Sequence, residues 1–142
     1  MIGELLMCAA IITAPACAAN SDQAKDWKGY EPSLYVGEHY DSKWAQVRKC
    51  IMHRESRSNY RARSSISTAA GAYQFLESWH ISLTYMMIKE SRSTKDGLID
   101  DIKALRSKPI EKWNRYYQDR AFYTAWDNGR GADHWSQTRH GC

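Results

Sequence analysis

The chain has 142 residues, 43% of them hydrophobic and 25% charged; this length and composition exclude a multi-domain machine, wholesale disorder and collagen-like repetition. Lys and Arg number 20 against 16 Asp and Glu, a formal net charge of +4, which is too small for an obligate nucleic-acid binder but suits work beside a polyanion or an anionic envelope. The aromatics are 6 Trp and 9 Tyr with only 2 Phe, a bias toward rings with a polar handle, of the kind that line wet grooves.

Residues 1–18 read as a signal-like hydrophobic segment. Leu5 to Ala19 is nearly all apolar or small, and Ala16-Cys17-Ala18 offers an A-x-A cleavage site before Ala19. The run is interrupted by Pro15 and too short for a comfortable membrane span. It lacks the positively charged start of an export signal, Glu4 being the sole charge ahead of it, and neither Cys8 nor Cys17 follows a convincing lipobox. The expected localisation is secreted or cell-envelope, or alternatively a phage virion that retains the segment. Residues 19–40, polar and broken by Gly29, Pro32 and Gly37, read as a linker, and the domain proper spans 41–142.

Helical periodicity starts near Asp41 or Ser42 as N-cap. In the segment Lys43 to Arg57, Trp44, Val47 and Ile51 share a face that Glu55 ends. Cys50 points about 140° away from Glu55 on that helix, at 100° per residue. Ser58 to Ala72 reads as an Arg- and Ser-rich loop, and Gly71-Ala72-Tyr73-Gln74-Phe75 as a short strand-like segment. Further helices are predicted over Ser78–Glu90, Asp96–Arg106 and from Pro109 to Asp127, where Asn128-Gly129 stops the last. The fold class is mainly α (α+β), with a small β excursion after the first helix of the domain.

The five His are scattered without metal-ligand spacing, and no CxxC or HExxH motif is present, so no metal site is expected. Gly71 stands alone and Gly129-x-Gly131 lacks the rest of a dinucleotide fingerprint, which disfavours nucleotide chemistry. No G-x-S-x-G elbow supports a serine nucleophile. Once residues 1–18 are removed, Cys50 and Cys142 are the remaining cysteines, and that arithmetic suggests a disulfide.

Trp44-x-x-Val47-x-x-Cys50-Ile51-Met52-His53-Arg54-Glu55-Ser56, then Asn59-Tyr60, Gly71-Ala72-Tyr73-Gln74-Phe75 and Trp79, resembles the transglycosylase-like domains of resuscitation-promoting factors and their phage relatives. Gln118, Ala121, Tyr123, Gly131, Trp135 and Cys142 are similar to that family's closing elements, while His80 to Glu111 carries no aligned motif. The resemblance implies a lysozyme-like fold that cleaves the β-1,4 bond between N-acetylmuramic acid and N-acetylglucosamine in peptidoglycan. It makes Glu55 the general acid and then general base. Gly71, Tyr73 and Gln74 become substrate-binding residues on the other cleft wall, with Gly71 permitting a tight turn.

The residues themselves agree with this implication. Glycosidic cleavage needs an acid still protonated near neutral pH, and a carboxyl set against apolar walls has a raised pKa. The bland alternatives are Glu55 paired with Arg54, Arg57 or Arg61, Tyr73 and Phe75 as core residues on one strand face, and Trp79 and Trp135 as packing. Between Lys43 and Arg63, seven basic residues face the single Glu55, either a steering patch toward an anionic wall or a solvated face. No dependable second carboxylate emerges: Asp96, Asp100 and Asp101 lie in the unaligned stretch, and Asp119, Asp127 and Asp133 beyond it.

The expected function is that of a lytic transglycosylase using Glu55 alone. The alternatives are a lysozyme-type hydrolase, or a non-catalytic wall-binding or phage virion subunit that keeps the fold. No cofactor is implied. The expected partners are peptidoglycan glycan strands and, for a phage-encoded chain, other virion proteins, but no nucleic acid.

Overall fold

A computed structural model describes residues 13–136 and 140–142; the first twelve residues of the signal-like segment lie outside the described residues. The helices are α1 (Ala14–Ala19), α2 (Asp22–Lys25), α3 (Ala45–Ser56), α4 (His80–Thr94), α5 (Ile99–Ala104) and α6 (Arg115–Trp126), joined by short 3-10 turns. The protein is mainly helical, as its periodicity predicts. No described helix is long and apolar enough to cross a membrane.

The centre of the fold is α6, every residue of which is buried. Helices α1, α2 and α4 pack against it, and α5 packs on α4. Phe122 stacks on Tyr73 at 4.7 Å and on Trp126 at 5.7 Å between ring centroids. A helix buried all round must satisfy its polar side chains internally, and three consecutive residues of α6 do so. Gln118 takes the Ala72 N–H on Oε1 and gives its Nε2 protons to the carbonyls of Tyr60, Ile110 and Trp113. Asp119 accepts from Leu34 N–H and from the Tyr60 and Tyr73 hydroxyls, with Arg48 at 3.5 Å. Arg120 donates to Glu90 at 3.1 Å and Asp96 at 2.9 Å.

Helix boundaries follow local chemistry. Asp41 caps the 3-10 turn Ser42–Trp44 through the Lys43 N–H at 3.0 Å, and α3 continues from it. The third predicted helix starts late, at Ile99, because Asp96 Oδ1 accepts the Leu98 N–H and Gly97 takes φ +79°. The last predicted helix is divided: a 3-10 turn covers Ile110–Lys112, Trp113 is extended, and Asn114 caps α6 by accepting the Tyr117 N–H. Gln118 holds that break closed by donating to the Ile110 and Trp113 carbonyls on its two sides.

Two expectations need correction. Residues 19–40 are not a polar tether: Ala19, Ala24, Leu34 and Tyr35 are buried, the Leu34 N–H is bound by Asp119, and the Pro32 carbonyl by Arg115. Their spacing is too irregular to be read as an amphipathic pattern. The β excursion, in turn, consists among the described residues of two isolated antiparallel bridges, Arg63 with Ala70 and Ala70 with Phe75. The left-handed φ of Gly71 and Gln74 folds the segment into a turn before a strand can extend.

Candidate active site

Glu55 stands in the last turn of α3, half-buried. The helix stops two residues later because Arg57 and Ser58 both adopt left-handed backbone, φ +57° and +60°, while their N–H groups close back on the carbonyls of His53 and Met52. Consecutive left-handed residues other than glycine are costly, about 1–3 kcal/mol each, and such strain concentrates at working sites. Here it turns the chain directly beyond Glu55.

Ser56 fastens this helix end to the Gly71–Phe75 turn. Its hydroxyl donates to the Ala72 carbonyl at 2.7 Å and accepts the Asn59 N–H at 3.1 Å. Within the turn, Gln74 N–H and Gln74 Nε2 both donate to the Gly71 carbonyl, at 3.2 and 2.9 Å. Gln74 is half-buried and takes φ +53° although it is not glycine. Gly71 has φ +83°, and a Cβ there would sit 2.5 Å from Gln118 Oε1, so only glycine fits this close approach.

Tyr73 differs from its expected role. It is fully buried, its hydroxyl donates to Asp119 at 2.6 Å and receives Arg48 Nη1 at 3.0 Å, and its ring stacks on Phe122. Burial, opposed in part by Arg48 and reinforced by Asp119, holds its phenol well above the usual range. Tyr73 therefore supports the turn from beneath and cannot present its ring to a ligand. Phe75 is buried beside it, and Trp135 is buried with its indole N–H on the Tyr73 carbonyl at 2.9 Å. Alternation did place both rings on one inward face, but a tyrosine hydroxyl carries no sign of whether it will meet substrate or a buried carboxylate.

The chain's end closes over α3. Cys50 and Cys142 lie at disulfide distance, with Cα atoms 5.6 Å apart. Arg54 donates to the His140 carbonyl, and Arg57 Nη1 lies 3.5 Å from His53 Nε2. Arg61 sits over the Trp27 ring at 5.1 Å. Trp79, half-buried, meets the edge of His134 at 4.1 Å, and desolvation lowers the His134 pKa below the ordinary imidazole value. The fold thus brings Glu55, Gly71 and Gln74 onto neighbouring segments joined by the Ser56–Ala72 hydrogen bond, and sends Tyr73 into the core.

Among the suggested second carboxylates, Asp96 is buried and ion-paired with Arg120, and Asp119 is saturated by its donors. Asp100 and Asp101 are exposed in the first turn of α5. Sequence reasoning missed Arg48 and the supporting role of Asp119, which together seat Tyr73. The signal for Asp119 was faint: three adjacent polar residues, Gln118-Asp119-Arg120, inside a helix rich in aromatic residues. No family model, curated protein or solved structure matches the chain significantly.

Proposed function

We propose that the protein is a peptidoglycan-cleaving lytic transglycosylase acting on the bond between N-acetylmuramic acid and N-acetylglucosamine, in the cell envelope or from a virion. The observation that carries the reading is the placement of Glu55. It ends a rigid, half-buried helix, the chain reverses immediately beyond it, and Ser56 ties it to a strained turn bearing the Gln74 amide. Such a frame fixes an acid beside a wall that can bind an N-acetyl group.

In the proposed reaction, protonated Glu55 gives its proton to the glycosidic oxygen as the bond from the muramic acid C1 breaks. The C6 hydroxyl of the same sugar then attacks C1 and passes its proton to the Glu55 carboxylate, which restores the acid. No water is consumed, and intramolecular attack benefits from proximity. A hydrolase ordinarily sets two carboxyl groups roughly 5–10 Å apart; Asp96 and Asp119, buried and bound to their own partners, do not serve as the second.

Digestion of purified peptidoglycan followed by mass spectrometry is the test. The expected products are 1,6-anhydromuropeptides, with release falling by about 100-fold or more in Glu55→Gln, which keeps the shape but cannot donate the proton. Reducing muropeptides alone would identify a hydrolase, and no product from correctly folded wild type would leave a non-catalytic wall-binding protein.

A further inference from the structure

Two cavities of about 460 and 230 Å³ adjoin one another and share Glu111 as a wall. Neither is lined by Glu55, Tyr73 or Gln74. The first is rimmed by Arg63, Arg106 and Lys108, the second by Lys25, Arg61 and Lys112, all exposed or half-exposed. Facing these six cations, the lining carboxylates are Glu77 and Glu111. Glu111 is buried with its Oε1 3.3 Å from Arg63 Nη1, so these two charges offset each other and five cations face Glu77. The cations come from three separate stretches of chain, and folding alone gathers them into one concave positive surface.

We propose that this trench binds a polyol phosphate chain, the flexible phosphodiester polyanion of a bacterial wall. The proposal rests on the wall reading above only for where the two would meet. Such a chain carries its charge on the backbone and no bulky side groups, so it can lie in a narrow cleft, and the guanidinium fork of Arg61 suits phosphate oxygens. Convergent positive charge with low-dielectric walls also concentrates a polyanion locally.

Nucleic acid fits the same charge less well. Single strands need open aromatic faces on which to stack. Trp27, the half-buried aromatic of the trench, carries Lys28 Nζ at 4.8 Å and Arg61 at 5.1 Å from its ring, while Tyr60 and Trp113 are buried. Duplex readers push a helix or ribbon outward into a groove, whereas this surface is concave.

The test measures binding of the full chain to purified polyol phosphate, free of glycan, across a salt series. Binding is expected to weaken as salt screens the charges, and Lys108→Glu with Lys112→Glu should weaken it by about tenfold or more, as loss of local field requires, with Tm unchanged. Should that double variant unfold, Lys25→Glu, on a different stretch of chain, carries the same expectation. Absence of binding at low salt, variants binding like wild type, or tighter binding of single-stranded DNA of equal charge would each overturn the proposal. Since the probe holds no glycan, a protein that binds it yet releases no muropeptide fails the enzymatic reading and keeps this one.

Discussion

Replacing Asp119 by Asn should destabilise the fold far more than its isosteric shape suggests. In the native protein the carboxylate is fully buried and accepts the Tyr60 and Tyr73 hydroxyls at 2.6 Å each and the Leu34 N–H at 3.1 Å. It also faces Arg48, itself 2% exposed, at 3.5 Å. An amide offers one acceptor oxygen in place of two and turns two N–H groups toward donors. A hydrogen bond to a charged group contributes about 1.5–3 kcal/mol; both phenols share Oδ1 while the Leu34 N–H uses Oδ2, so loss of the Leu34 contact sets the lower end. Leaving Arg48 buried without its counter-charge raises the expected total to about 3–5 kcal/mol, as when one partner of a buried pair is removed. For a chain near this size that corresponds to a Tm lower by about 10 °C. Urea unfolding followed by circular dichroism reads the effect, and Tyr73→Phe, which removes a single hydroxyl, should cost less. If Asp119→Asn left stability within about 1 kcal/mol of wild type, the network would not be what seats Tyr73 and the turn above it.

Three further outcomes follow from named contacts. The loop closed between Cys50 and Cys142 spans 92 residues, so replacing both by Ser should cost up to about 4–5 kcal/mol on the loop-entropy scale; non-reducing peptide mapping that found both thiols free would remove the basis for it. Burial raises the phenols of Tyr35, Tyr60, Tyr73 and Tyr117 well above the usual range and those of Tyr116 and Tyr123 up to about 12. The folded state therefore keeps protons that the unfolded chain releases near pH 10, and stability is present below that pH and lost as pH climbs from there toward 12. Tyrosinate absorbance and circular dichroism should change together, whereas ionisation of these phenols without unfolding would contradict it. A chain beginning at Ala19 loses buried Cys17 and the Thr13 hydroxyl bond to the Asp96 carbonyl; it should unfold about 1–2 kcal/mol more easily, and an unchanged denaturation midpoint would show that α1 contributes nothing.

Periodicity by itself determined that the protein is mainly helical and roughly where α3, α4 and α6 run, since apolar residues recurring along one face report a helix whatever it packs on. It also placed Glu55 at a helix end and stopped the last helix near Asn128-Gly129, because caps and spacing are local properties written in adjacent residues; it read Gly71–Phe75 as strand-like, and the turn at Gly71 came from the family resemblance. The ordered motif around Glu55 suggested an acid and a facing wall, and α3 with the Gly71–Phe75 turn are joined through Ser56. Other features depended on what lies across space. Composition marked residues 19–40 as polar, yet Leu34 and Tyr35 are drawn inward by Asp119 and Glu90, partners 85 and 55 positions away. Nothing beside Tyr73 in the chain announces Arg48 or Asp119, so its inward direction became visible only when three distant segments met. The same holds for the basic trench: its cations sit in unrelated stretches, and only tertiary packing sets them around one buried carboxylate, Glu111.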